Sequence, residues 1–229
     1  MDYYEYILNV ISTHGTTLDR FKSLIDILKI EPDDTILAQT IICSRLDLYM
    51  YLTKEYGMKI VEPMKTVDDN LFYILELATS RSYGTESNSI INDLLSMKSV
   101  KITKNCLINS YKRGDIELVK YFSNYFKADK YIISSICSFN FHISKGRFKN
   151  VVSYAMEEGY DINIVDLHDM TPLMRIARTG SYDKVNILID LGADLSANNN
   201  KGETALVNYI KNTPVEKINY NIIDVLCRT

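Results

Sequence analysis

From the first residues onward the chain sets short apolar stripes between polar punctuation, at intervals that suit helices of two or three turns. Tyr3 to Ile11 and Leu18 to Leu28 repeat Ile, Leu, Val and Phe three and four positions apart, the spacing that gathers side chains on one helical face. Leu48 to Leu52, closed by Gly57, repeats the stripe, as do Ile90, Ile91, Leu94 and Leu95. Val185, Leu188 and Ile189 draw it again near the other end. Asp33 and Asp34 follow Pro32 and precede Thr35, which reads as a helix start where carboxylates complement the dipole. Glu157 and Glu158 read as a helix end, against that dipole but exposed. Gly 9 with Pro 4 is too few for a turn-rich β fold, whereas long Leu-, Ile- and Tyr-rich stretches with scattered Lys, Asp and Glu favour helices. The predicted class is all-α.

The helices recur with a period. Thr171 and Thr204 lie 33 residues apart, and the pair Gly159 and Asp161 is separated from Gly192 and Asp194 by the same 33. Gly114 stands 66 residues, two periods, before Gly180, and Gly146 with Val151 and Val152 supplies the intermediate unit one residue off register. Within a unit each residue has a physical task. Thr171 caps the first helix and Pro172 occupies its first turn, where a missing N–H costs nothing. Ala177 admits a close antiparallel neighbour, Gly180 the turn, and the Val185 stripe faces the next unit. One such pair cannot bury its stripe alone, so stability resides between neighbours.

The segment Asp166 to Ala197 resembles the ankyrin repeat, with its Thr-Pro-Leu start at Thr171, its Ala177 and Gly180, and the Gly192, Ala193, Asp194 close. The resemblance implies a solenoid of about seven helix-turn-helix pairs. Regular repeats would span 104–229, with a degenerate capping array over 1–103. Departures are visible: Met174 and Val207 stand where the family carries His, Asp169 stands where Gly202 stands one period later, and Asn212 to Pro214 lengthen the last link. What the resemblance implies of function is a non-enzymatic module whose hairpin tips and first helices form a concave surface for a protein partner. The variable positions of the two best repeats are Leu167, His168, Met170, Arg175 and Arg178, then Asn200, Lys201, Glu203 and Asn208. Leu167 and Met170 would be apolar side chains exposed on a tip, which a partner explains better than the fold does. Richness in Ile, Asn, Lys and Tyr, with Trp 0, is similar to degenerate ankyrin arrays of large cytoplasmic DNA viruses. The ubiquitin-ligase-linking segment of some viral members has no counterpart after Leu226, so that role is not carried over.

Charge adds an alternative. The formal net charge is −3, yet residues 98–149 carry about +8 and the remainder about −11. Such a basic middle suits nucleic acid or an acidic surface, although solvated helix faces give the same count. Tyr111, Tyr121 and Tyr125 interleaved with Lys112, Arg113 and Lys120 could serve as stacking platforms, but Tyr121-Phe122 and Tyr125-Phe126 lie at the spacing of one helical face, which reads as core, and nucleic acid is not the expected partner. The stretch before Val100 leaves room for a separate helical effector domain whose activity the residues do not spell out. Catalytic chemistry finds no footing. His14, His142 and His168 pair with no nucleophile in sequence, His168 reading as an exposed tip residue and His14 as part of a turn. Cys43, Cys106, Cys137 and Cys227 are irregularly spaced, so neither a zinc site nor a CxxC motif can be drawn, and most read as small core residues. No glycine-rich phosphate loop or metal motif occurs, and no cofactor is expected. A start without a basic and apolar leader, no run of membrane length and no Asn-x-Ser/Thr acceptor lead to a cytoplasmic expectation.

Overall fold

The computed structural model describes residues 3–13, 15–60, 63–65, 71–81, 85–138 and 143–227. Among them fourteen α-helices follow one another. They are α1 (Tyr3–Ser12), α2 (Leu18–Leu28), α3 (Asp34–Ile42), α4 (Leu46–Met50), α5 (Ile74–Arg81), α6 (Thr85–Ser96) and α7 (Lys104–Arg113). The series continues with α8 (Ile116–Ser123), α9 (Ile132–Ser138), α10 (Lys145–Glu157), α11 (Pro172–Arg178), α12 (Tyr182–Asp190), α13 (Ala205–Asn212) and α14 (Tyr220–Leu226). α4 runs on into a π-helical turn, Tyr51–Glu55. The all-α expectation holds, with one addition: two-residue strands β1 (Met64–Lys65) and β2 (Leu71–Phe72) pair antiparallel in the link before α5. Met64 is buried and β1 packs on α3, so this link is anchored to the core.

The chain divides into two compact units, Met1–Asn109 and Ser110–Thr229, with the division inside α7. In the first unit α1, α3 and α5 touch in succession, as do α2, α4 and α6, and each first helix also packs on its own second helix. The predicted first pair matches α1 and α2 closely, and Asp33 caps α3 as expected, its Oδ1 accepting the Thr35 and Ile36 amides at 3.0 Å each. Ile7, Ile11, Ile36, Ile41, Leu48 and Leu52 are buried between the two rows of helices. Arg45 is also buried, because its guanidinium is fully occupied: it grips Asp47 at 2.8 and 3.0 Å and donates to the Thr16 carbonyl at 2.7 Å.

The second unit repeats this plan. α9, α11 and α13 touch in succession, while α8, α10, α12 and α14 form the other row. Phe122, Phe148, Val151, Val152, Val185 and Leu188 are shared between successive helices of that second row. At full burial each such side chain contributes roughly 1.5–3 kcal/mol, available only when the neighbouring hairpin is present. Gly114 shows why the turn into a second helix wants glycine: φ is +67°, and a Cβ there would lie 2.9 Å from the Cβ of Arg147. The intermediate unit departs from the predicted register, since Gly146 lies within the first turn of α10 and not in the preceding turn. Ser144 caps that helix instead, accepting the Arg147 amide. His14 and His142 lie outside the described residues.

Candidate interaction surface

Two hairpin tips precede α11 and α13, and they are built alike from residues 33 apart. Asp166 Oδ1 accepts the amides of His168 (2.8 Å) and Met170 (3.3 Å), and the Asp166 amide donates to the Met170 carbonyl at 3.0 Å. One period on, Asn199 Oδ1 accepts the amides of Lys201 (3.0 Å) and Glu203 (2.9 Å), and its own amide donates to the Glu203 carbonyl at 3.0 Å. A side-chain oxygen that satisfies two amides closes the tip locally. Asp169, left-handed at φ 58°, stands in the place of Gly202 as expected, and its Oδ1 also accepts the Asn200 amide of the next tip at 2.6 Å. That bond between tips supplies a reason for aspartate at a position otherwise suited to glycine.

The helix starts follow. Thr171 and Thr204 accept the amides of Met174 (3.2 Å) and Val207 (3.4 Å). Where the family pattern has histidine, the buried Met174 turns its thioether back to the Thr171 amide at 3.4 Å, a weak acceptor in the same place. Val207 has no such role and is 48% exposed.

Of the nine positions predicted to meet a partner, Leu167, His168, Arg178, Asn200 and Lys201 are exposed, Leu167 by 83%. Met170 is a correction: it is 6% exposed, because the tip bond between its carbonyl and Asp166 directs it inward. Arg175 is half-buried. Its Nε binds Asp166 and donates to Ser134 Oγ at 3.0 Å, while the Ser134 hydroxyl donates to Asp166, so the three side chains tie α9 to the next tip and helix. Burial alone would raise the Asp166 carboxyl pKa, but Arg175, Ser134 and the His168 amide together hold it below the usual carboxylate range.

Glu203 and Asn208, two more of the nine positions, lie largely under their neighbours. They are 8% and 4% exposed, and they bind one another in a cluster. Glu203 accepts from Asn208 Nδ2 (3.1 Å), Asn199 Nδ2 (3.0 Å) and Lys211 Nζ (2.6 Å). Lys211 first, then the two amides, pull its carboxyl down to about 2. Sequence reasoning passed over Ser134, Asp166, Asn199 and Lys211; the 33-residue spacing of Asp166 and Asn199, each just before a capped Thr-start, was the available signal.

These residues line a groove along the first helices of the second unit. A cavity of about 450 Å³ lies between the two tips and α11 and α13, walled by Met170, Arg178, Lys201 and Asn208. A second, of about 350 Å³, runs past Lys112, Ser134 and Leu167, and a third, of about 360 Å³, past Ser138 and Thr179. All three meet at Arg175. Elsewhere in this unit the predicted core reading of the tyrosines needs correction: Phe122 is buried, but Tyr121 and Tyr125 are exposed by 37% and 55%, with ring centroids 5.6 Å apart. Among the described residues no group of three or more His, Cys, Asp or Glu could hold a metal ion, and no helix is long and apolar enough to cross a membrane. Burial pushes the Cys106 and Cys137 thiols up, away from the reactive thiolate.

Comparison with known proteins agrees with this architecture. Residues 139–228 match the family described as Ankyrin repeats (3 copies). No curated protein matches the chain in sequence. Over 100% of this chain and 99% of the other, the fold is similar to the crystal structure of the human ASB11 ankyrin repeat domain, with a TM-score of 0.56 at 17% identity. At that identity the likeness carries the fold alone.

Proposed function

We propose that the chain is a non-enzymatic interaction module that binds a protein partner along the groove of α9, α11 and α13 and over the tips before α11 and α13. The observation that carries this reading is the combination of a preformed groove with an 83% exposed Leu167 at its rim. A surface fixed by capped tips and paired side chains loses little conformational entropy on association, so a few anchors suffice for useful affinity. A cytoplasmic setting, and the likeness to arrays of large DNA viruses, belong to the same reading; free thiols at all four cysteines suit a reducing compartment.

The test is affinity capture on the immobilised full chain. Wild-type protein and Lys149→Glu, altered on the exposed face of α10, should recover the same partner, whereas Leu167→Glu with Arg178→Glu should lose it. Equal recovery by all three would remove the groove from consideration.

A second reading rests on the exposed Tyr121 and Tyr125 beside Lys120 and Lys127, which suit single-stranded nucleic acid better than a core face would. It requires affinity for an oligonucleotide that falls steeply with salt and disappears on changing both tyrosines to Ala.

A further inference from the structure

In the second unit the face that stacks one hairpin on the next continues past α13 and α14. α11 is covered on both sides: Arg175 donates to Ser134 of α9 on one, and α13 packs on the other, where Met174 and Ala177 are fully buried. One period on, 33 residues later, the same two places in α13 hold Val207 and Ile210, and each is 48% exposed. The second row of helices repeats the observation. Counted from the caps Ser181 and Asn219, Val185 of α12 corresponds to Ile223 of α14, and Tyr182 to Tyr220. Val185 is fully buried and Tyr182 half-buried, whereas Ile223 is half-buried and Tyr220 is 72% exposed. Four apolar side chains thus stand in places that a further hairpin covers elsewhere in the unit. The exposed Val215 lies in the link that joins the two helices.

The outer side of an end hairpin is stable in water when it is polar. α1 and α2, which begin the first unit, meet that condition: apart from Tyr3 and Ile27, their exposed side chains are polar or charged. α13 and α14 do not meet it, and an apolar face of this extent marks an interface.

We propose that two copies of this chain associate edge to edge through α13, α14 and their link, as a closed dimer. Charge and symmetry select a second copy. Glu216 and Lys217 are adjacent and exposed in the link, so a partner of either sign is attracted by one and repelled by the other. Under a two-fold axis the two links lie opposite and antiparallel. Lys217 of each copy then meets Glu216 of the other, and the apolar side chains of each edge cover those of its mate. Head-to-tail stacking fails, because it sets the polar outer side of α1 and α2 on the apolar edge. Helices of 8 and 7 residues are about 12 and 10 Å long and about 10 Å across, a face of roughly 250 Å² before the link is added. Stable complexes bury about 800 Å² on each partner, so this dimer is weak, forming at roughly tens of micromolar. It goes beyond the groove reading, whose anchors Leu167 and Arg178 it does not use.

The experiment is analytical ultracentrifugation of the full chain from about 5 to about 500 µM. The average mass is expected to rise with concentration from that of one 26.3 kDa chain toward twice that value and no further. Val207→Lys with Ile210→Lys should weaken association at least about tenfold. Lys217→Glu alone and Glu216→Lys alone should each weaken it severalfold by setting like charges opposite, and the two changes together should restore it. Circular dichroism melts establish that each variant is folded, and the exposed link changes decide the matter if the α13 variant is unstable. Leu167→Glu with Arg178→Glu, which tests the groove, should leave the dimer intact. A monomeric mass throughout overturns the proposal and leaves the edge to a helix of another protein. A mass that climbs beyond two copies overturns the closed form, and a dimer indifferent to the α13 and link changes overturns this edge.

Discussion

Ser44 holds a left-handed backbone, φ 54°, at the turn between α3 and α4, where Gly114 and Gly180 stand in the turns before α8 and α12. A non-glycine residue in that conformation costs about 1–2 kcal/mol, against which glycine loses roughly 0.5–1 kcal/mol through the freer unfolded chain. The first effect is the larger, so Ser44→Gly is expected to raise stability by about 0.5–1 kcal/mol, read from the denaturant midpoint. Gly114→Ala runs the other way. It incurs the same left-handed cost and also sets a Cβ 2.9 Å from the Cβ of Arg147, a side chain that starts on the rigid backbone of α10. A loss of about 2 kcal/mol or more is expected in the same measurement. These two positions also show why the front half of the chain reads as degenerate: the backbone turn is kept at Ser44 while the residue that announces it is gone.

At the scale of an element, the tip before α13 behaves as a small electrostatic unit centred on Glu203. Its carboxyl is held at about 2 against an ordinary 4.5, so the folded state favours the ionised form. The depressed value means that this stabilisation is complete above about 4.5 and is lost as pH falls toward about 2. Wild-type protein should therefore exceed Glu203→Gln in thermal stability at neutral pH, and the two melting curves should converge across that acid interval. A constant offset down to pH 2 would show that the cluster acts through packing and not through charge. The same tip explains what was legible of the surface. Leu167, His168 and Lys201 were readable because a tip loop exposes the residues between its closing bonds. Met170, Glu203 and Asn208 were not, because the inward turn after Asp169 or Gly202 and the contact from α13 to the tip are set by tertiary pairing that spacing alone does not encode.

For the molecule as a whole, the period of 33 carried the fold further than any single motif, since every landmark in it is a backbone requirement repeated by stacking. What the period did not reveal, the β1–β2 ladder and the shifted start of α10, lies where a link departs in length from the repeat. That dependence on neighbours yields a prediction within the second unit. Leu188 is fully buried in α12, and α12 touches α10, α11 and α14 but not α8 to a comparable extent. Leu188→Ala removes about 2–5 kcal/mol of packing there. If stability is a sum of nearest-neighbour interfaces, hydrogen exchange should accelerate most in α10, α11, α12 and α14, with α8 protected longest because one intact helix, α10, lies between. Mass spectrometry of exchanged peptides resolves these segments. A uniform loss of protection from α8 to α14 would mean instead that the second unit unfolds as one block, and that its hairpins, though separate in the contacts they make, do not open separately.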